Sequence, residues 1–153
     1  MIQIQRAHLR VQATFINLMK APIDVVRLTA SEKELLSRIK RKSSVDSWNV
    51  LCRWALALAL SSDLNHLTRS QERRDAVEIR WETFAGQWSD VINASVRIAF
   101  CTYKCDGQPV SLSDFFQMVL ARGIRMLAKQ TAASKDACFA ILVKSESTNL
   151  PSS

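Results

Sequence analysis

The sequence predicts a mainly α-helical small domain with at most one or two short strands and a ribbon-helix-helix-like N-terminal half. Three observations carry this. Gly and Pro number only three each among 153 residues, too few for the turns of a loop-rich β-sandwich. Apolar residues recur at helical spacing in several long segments, the pattern of amphipathic helices. Ser, Thr and Asp stand just ahead of those segments, where caps are needed. A hydrophobic fraction of 48% against 23% charged excludes a disordered chain and suits one domain with a real core. No stretch reaches the ~18 apolar residues of a membrane span; the longest candidate, Val50–Leu60, is interrupted by Arg53.

The elements follow in order. Residues 1–20 have a mixed pattern and read as an N-terminal extension, with Met19 a natural-looking restart. Residues 24–29 alternate and predict a short strand, Val26 and Leu28 facing one way, Arg27 and Thr29 the other. Thr29 and Glu32 form a capping-box pattern, with Ser31 and Glu34 as a second candidate. The helix that follows runs to about Lys42 and docks through Leu35, Leu36 and Ile39. After the Ser43-Ser44 turn, Asp46 or Ser47 caps a helix to about Ser61 that is apolar nearly all round, a central core helix or an interface helix.

Residues 62–75 are polar and read as a loop, and residues 77–81 fit either a strand or a helix start. A helix is expected over 87–103, with Trp88, Val91, Ile92 and Ala99 on one stripe. Asp106-Gly107-Gln108-Pro109 is a turn. Ser111 or Ser113 then caps a helix to about Lys129, on which Gly123 permits close helix packing. The domain thus spans 21–130, and 131–153 is a tail expected to be partly disordered.

The formal charge is +7, from 21 Lys and Arg against 14 Asp and Glu. An excess of this sign suits a polyanion, though a solvated basic surface gives the same sum. The basic residues concentrate at Arg27, Lys33, Arg38, Lys40, Arg41, Lys42 and Arg53, and a dense cationic array at a helix end is what phosphates require. Basic residues at a helix C-terminus also complement its dipole, so the cluster alone does not decide. Arg53, in an apolar helix, requires a carboxylate or phosphate partner.

Glycine-rich phosphate loops and the nucleophile elbow are absent, and no catalytic set stands out. The expectation is that the protein is not an enzyme. Asp63 and His66 read as loop polarity. Cys52, Cys101, Cys105 and Cys138 read as free thiols of a cytoplasmic protein. A metal site is disfavoured, because Cys101 and Cys105 lack two further ligands nearby.

The run Trp48-Asn49-Val50-Leu51-Cys52-Arg53-Trp54-Ala55, preceded by Leu36-x-x-Ile39-Lys40-Arg41-Lys42, resembles the signature of the DndE family of DNA sulfur-modification (phosphorothioation) proteins. Thr83-Phe84-Ala85-Gly86 and Ala121-Arg122-Gly123-Ile124 resemble its later landmarks, so the resemblance covers roughly residues 22–129. It implies a small helical, non-catalytic DNA-binding subunit that takes duplex or nicked DNA. It further implies an oligomer, a tetramer, that works beside the other phosphorothioation proteins, with no cofactor and no membrane. Lys40, Arg41 and Lys42 map onto the family's basic helix end, and Trp48, Asn49, Cys52 and Trp54 onto its signature. One departure is the family's Thr-Gly turn, here Ser43-Ser44, which lacks the easiest left-handed residue.

Two other readings stay open. A ribbon-helix-helix regulator would use residues 24–29 as a ribbon shared by two chains, with Arg27 and Thr29 toward the groove. An adaptor would hold other modification proteins together, its basic surface incidental. Cys52 invites a persulfide-carrier role, which needs an exposed thiol of lowered pKa; packing is the competing reading.

Overall fold

The computed structural model describes residues 2–103 and 109–133. The chain order is α1 (Ile2–Met19), β1 (Val25–Leu28), α2 (Ala30–Ser43), α3 (Trp48–Leu60), β2 (Val77–Arg80), α4 (Trp81–Ala85), a 3-10 turn (Gly86–Trp88), α5 (Ser89–Thr102) and α6 (Leu112–Ala133). The fold is mainly α with one small antiparallel sheet, β1 paired with β2. Cys105, Cys138, the turn at 106–108 and the tail from 134 lie outside the described residues.

β1 forms where alternation predicted it. Val26 and Leu28 are fully buried and Arg27 is exposed, while Thr29 turns inward. The reason is its cap: Thr29 Oγ1 accepts from the Glu32 backbone N–H at 3.1 Å, and Glu32 Oε2 accepts from the Thr29 N–H at 3.0 Å. Two of the orphan donors at the start of α2 are satisfied this way. Leu36 and Ile39 are buried, and Leu35 is partly buried against the same core. α2 ends at Ser44, in left-handed geometry with φ 55° and ψ 14°.

β1 pairs with β2 of the same chain, Val26 opposite Ile79 and Leu28 opposite Val77. At Arg27 the backbone facing away from β2 is also engaged. The Gln117 amide donates to the Arg27 carbonyl at 3.0 Å and accepts from its N–H at 3.1 Å. Arg74 Nη1 donates to the same carbonyl at 3.3 Å. A shared two-chain ribbon therefore finds no free edge at that residue. Residues 77–81 prove to be both candidates in succession, since the strand ends at Arg80 and the helix starts at Trp81.

The central element is α6 rather than α3. Phe115 to Ala121 are buried without a break, so this helix is enclosed on all sides over two turns. α3 buries Leu51, Cys52, Ala55, Leu56 and Ala59 on one face and leaves Ala57 exposed. The two helices cross at Gly123, where a Cβ would lie 1.9 Å from the Ala55 carbonyl oxygen. Trp81, Phe84 and Phe116 pack ring to ring at 5.6–5.8 Å beneath the sheet.

The expected stripe on the 87–103 segment divides: Ile92 and Ala99 pack against the core, while Trp88 and Val91 are 51% and 61% exposed. α5 also packs through Val96 and the polar Asn93, with Phe100 against Phe115. Residues 2–19 form a helix in which nothing is buried. Their apolar residues fall on two stripes, which obscures the single-face signal of a core helix.

Candidate functional site

The basic end of α2 is built by its own periodicity. Leu36 and Ile39 fix one face to the core, so Arg38, Arg41 and Lys42 face solvent while Lys40 stays half-buried. Lys40, Arg41 and Lys42 occupy the last turn, at the negative end of the helix dipole. Among the described residues, Lys33, Arg41 and Lys42 carry no ion pair and are exposed.

The other expected cations are engaged. Arg27 Nε donates to Glu78 Oε1 at 2.8 Å across the sheet. Arg38 pairs with Glu34 one turn back, and Lys40 lies 3.7 Å from Asp46. These pairs are exposed on at least one side, so the carboxylates can yield to a phosphate at little cost. Arg53 has a different partner from the anion expected of it. Its Nη1 donates to the Phe84 backbone carbonyl at 2.7 Å. A carbonyl at the end of α4 suffices there because the side chain is only half-buried.

A concavity of about 340 Å³ lies where the end of α2 meets the end of α6. Arg38, Arg41 and Lys42 line one side, Ala128, Thr131 and Ala132 the other, and no carboxylate among the described residues lines it. Arg125 and Lys129 are exposed on α6, with no ion pair among the described residues. Neither of them lines the concavity.

The signature residues serve packing. Trp48 and Trp54 are partly buried against the core, Asn49 is half-buried, and Cys52 is fully buried. Burial pushes the Cys52 thiol up to about 12, reinforced by the charge of Glu32 and opposed by Arg53. That is the reverse of what a persulfide carrier needs. The sequence landmarks converge in space: Arg53 reaches Phe84, and Ala55 meets Gly123.

One constellation escaped the sequence reading. Arg74 Nη1 donates to both Glu32 oxygens at 3.0 and 2.9 Å, with Glu32 nearly buried. The same carboxylate caps α2. Nearby, Glu72 accepts from the Ser31 backbone N–H; the Ser31 hydroxyl first, and that N–H second, hold its carboxyl below the usual value. Asp63 is held low in the same way by the Asn65 N–H, and His66 beside it adopts φ 64°.

Among the described residues, no group of three or more His, Cys, Asp or Glu is placed to hold a metal ion. No helix among them is long and apolar enough to cross a membrane. Fold and site together define a compact helical domain with a small sheet that presents a cationic helix end. The chain belongs to the DndE family: the family described as "DNA sulphur modification protein DndE" matches residues 25–135. Membership places the protein in DNA sulfur modification. A search among curated proteins gave no match to the chain.

Proposed function

We propose that the protein is a non-catalytic, cytoplasmic DNA-binding subunit of the phosphorothioation system that grips the duplex backbone, intact or nicked, with the end of α2. The observation that carries this is the concavity lined by Arg38, Arg41 and Lys42, with no carboxylate on it among the described residues. Lys33 and Lys40 stand on the flank of the same helix. Contacts of this kind are to phosphate, so they position the protein without reading sequence. Arg27 contributes if it exchanges Glu78 for a phosphate. Arg53 is tied inward and supports the site through α4. Repetition of the basic end in a homo-oligomer, a tetramer by family expectation, widens the cationic surface and raises avidity. Other phosphorothioation proteins are the expected partners, and no cofactor is needed for this role.

The test is a salt-titrated binding assay on intact duplex, nicked duplex and single strand, with Lys40, Arg41 and Lys42 changed together to Ala. Wild-type binding that weakens steeply with salt and is lost in the variant supports the reading. Equal binding by both proteins overturns the assignment to the end of α2; binding by neither overturns DNA binding, and an adaptor role then takes its place.

A further inference from the structure

Helix α1 has no buried residue. Eight of its large apolar side chains are 50–76% exposed. One stripe, Ile4, Val11 and Leu18 with Phe15 beside it, repeats every seven residues, the spacing by which one helix seats along another. Only the last turn is tied to the rest of the described chain. Asn93 donates to the Leu18 carbonyl at 2.8 Å, and Arg97 to the carbonyls of Asn17 and Lys20 at 2.8 and 2.7 Å. The remainder is an arm, roughly 27 Å long from end to end of the helix.

A second apolar surface is also left uncovered by the described residues. An open groove of about 780 Å³ runs between α3 and α5, with Leu56, Leu60, Val91, Ile92, Ile98 and Ala99 on its walls. Val91 and Ile98 are 61% and 68% exposed. Residues 91–102 give the α5 wall a length of roughly 18 Å, enough for about three helical turns. Helical geometry separates the two features. Asn93 and Arg97 hold the arm on one flank of α5, and Val91, Ser95 and Ile98 face the groove on another. While its last turn stays pinned, the arm cannot fold back into its own groove.

We propose that α1 of one copy docks in the α3–α5 groove of a second copy, and that the exchange is reciprocal. The eight exposed side chains of the arm offer on the order of 1,000 Å² of surface. One stripe together with the groove it fills approaches the ~800 Å² per partner of a stable interface. Reciprocity closes this contact between two copies by a two-fold axis, a pair that a tetramer can contain twice, whereas one-way docking would leave an open chain. Asp63 on the groove wall offers a carboxylate to the arm, which carries Arg6 and Arg10 and no acidic residue. Arg53 also lines the groove, but its guanidinium is held by the Phe84 carbonyl. The inference is independent of DNA binding.

The test is sedimentation velocity on the full chain and two variants, Ile4→Lys/Val11→Lys on the arm and Val91→Lys/Ile98→Lys in the groove. All four positions are exposed, so helix content by circular dichroism should match wild type. Each variant alone is expected to lose half the wild-type mass. An equimolar mixture is expected to regain it, because one intact arm then meets one intact groove. A monomeric wild type, a variant of unchanged mass, or a mixture that fails to reassemble each overturns the proposal. A groove variant of unchanged mass beside a dissociated arm variant would assign the arm to pairing with another arm.

Discussion

Gly123 and Ala55 mark the closest approach of the two central helices: a methyl group on Gly123 would sit 1.9 Å from the Ala55 carbonyl oxygen. Backbone cannot yield as a side-chain tip can. Gly123→Ala is therefore expected to destabilise the fold by ~2–3 kcal/mol, although alanine is the better helix former. A denaturant titration checks this, and an unchanged midpoint would mean that the crossing is looser. Gly86 is the contrast. Nothing lies within 4 Å of its would-be Cβ, but its φ is +53°, so Gly86→Ala should cost about 1–2 kcal/mol through the backbone alone.

Ser44 occupies the left-handed C-cap of α2 without glycine's freedom. Ser44→Gly should stabilise the protein by roughly 1 kcal/mol. The measurement is a thermal melt; a lower midpoint would show that the serine side chain contributes more than its backbone strain costs.

Cys52 is a fully buried thiol with its pKa raised from 9.0 to about 12. Burial favours the neutral form, so this contribution is complete below pH 9. It is lost as pH rises from 9 toward 12, where the unfolded thiol ionises and the folded one does not. Iodoacetamide should leave native Cys52 unlabelled at pH 8 and modify it after unfolding. Cys52→Ala should remove part of the stability loss seen in alkali. Rapid native labelling would contradict the burial.

Lys33, Arg41 and Lys42 are unpaired among the described residues, whereas Arg27 shares Glu78. Replacing the three with Ala should lower the slope of log affinity against log salt by about 2–3. Arg27→Gln should change it by less than 1. Equal effects would mean that pairing within the protein does not decide which cations meet phosphate.

Arg97 holds the carbonyls of Asn17 and Lys20. Arg97→Ala should speed amide exchange through residues 16–20 while leaving the α3–α6 core protected, since α1 buries nothing. Slower exchange, or a loss of protection across the core, would show that the arm is held by something other than this cap.

Much of the helical frame was legible because its signals are local. Thr29 and Glu32 lie three residues apart, and the capping box they spell is the one that forms. Leu36 and Ile39 report their burial through spacing alone. Ser111 caps α6 as one of two candidates, its Oγ accepting from the Asp114 N–H. What the sequence hid depends on distant partners. Arg74 lies in a polar stretch that reads as loop, and its partner Glu32 is 42 residues away. Arg53 was expected to require an anion, but the Phe84 carbonyl came within reach only once α4 packed on α3. The basic cluster was plain in the sequence; which of its members are already paired was not.

The sheet carries a consequence for how the chain folds. Arg27 and Glu78, its facing residues, are 51 positions apart, and α2 and α3 lie between them. Closing so long a loop before those helices have shortened it costs entropy that two four-residue strands cannot return. The helices should therefore assemble first and bring the strand ends together. The sheet would then behave as a late latch, the first part to open and the last to close.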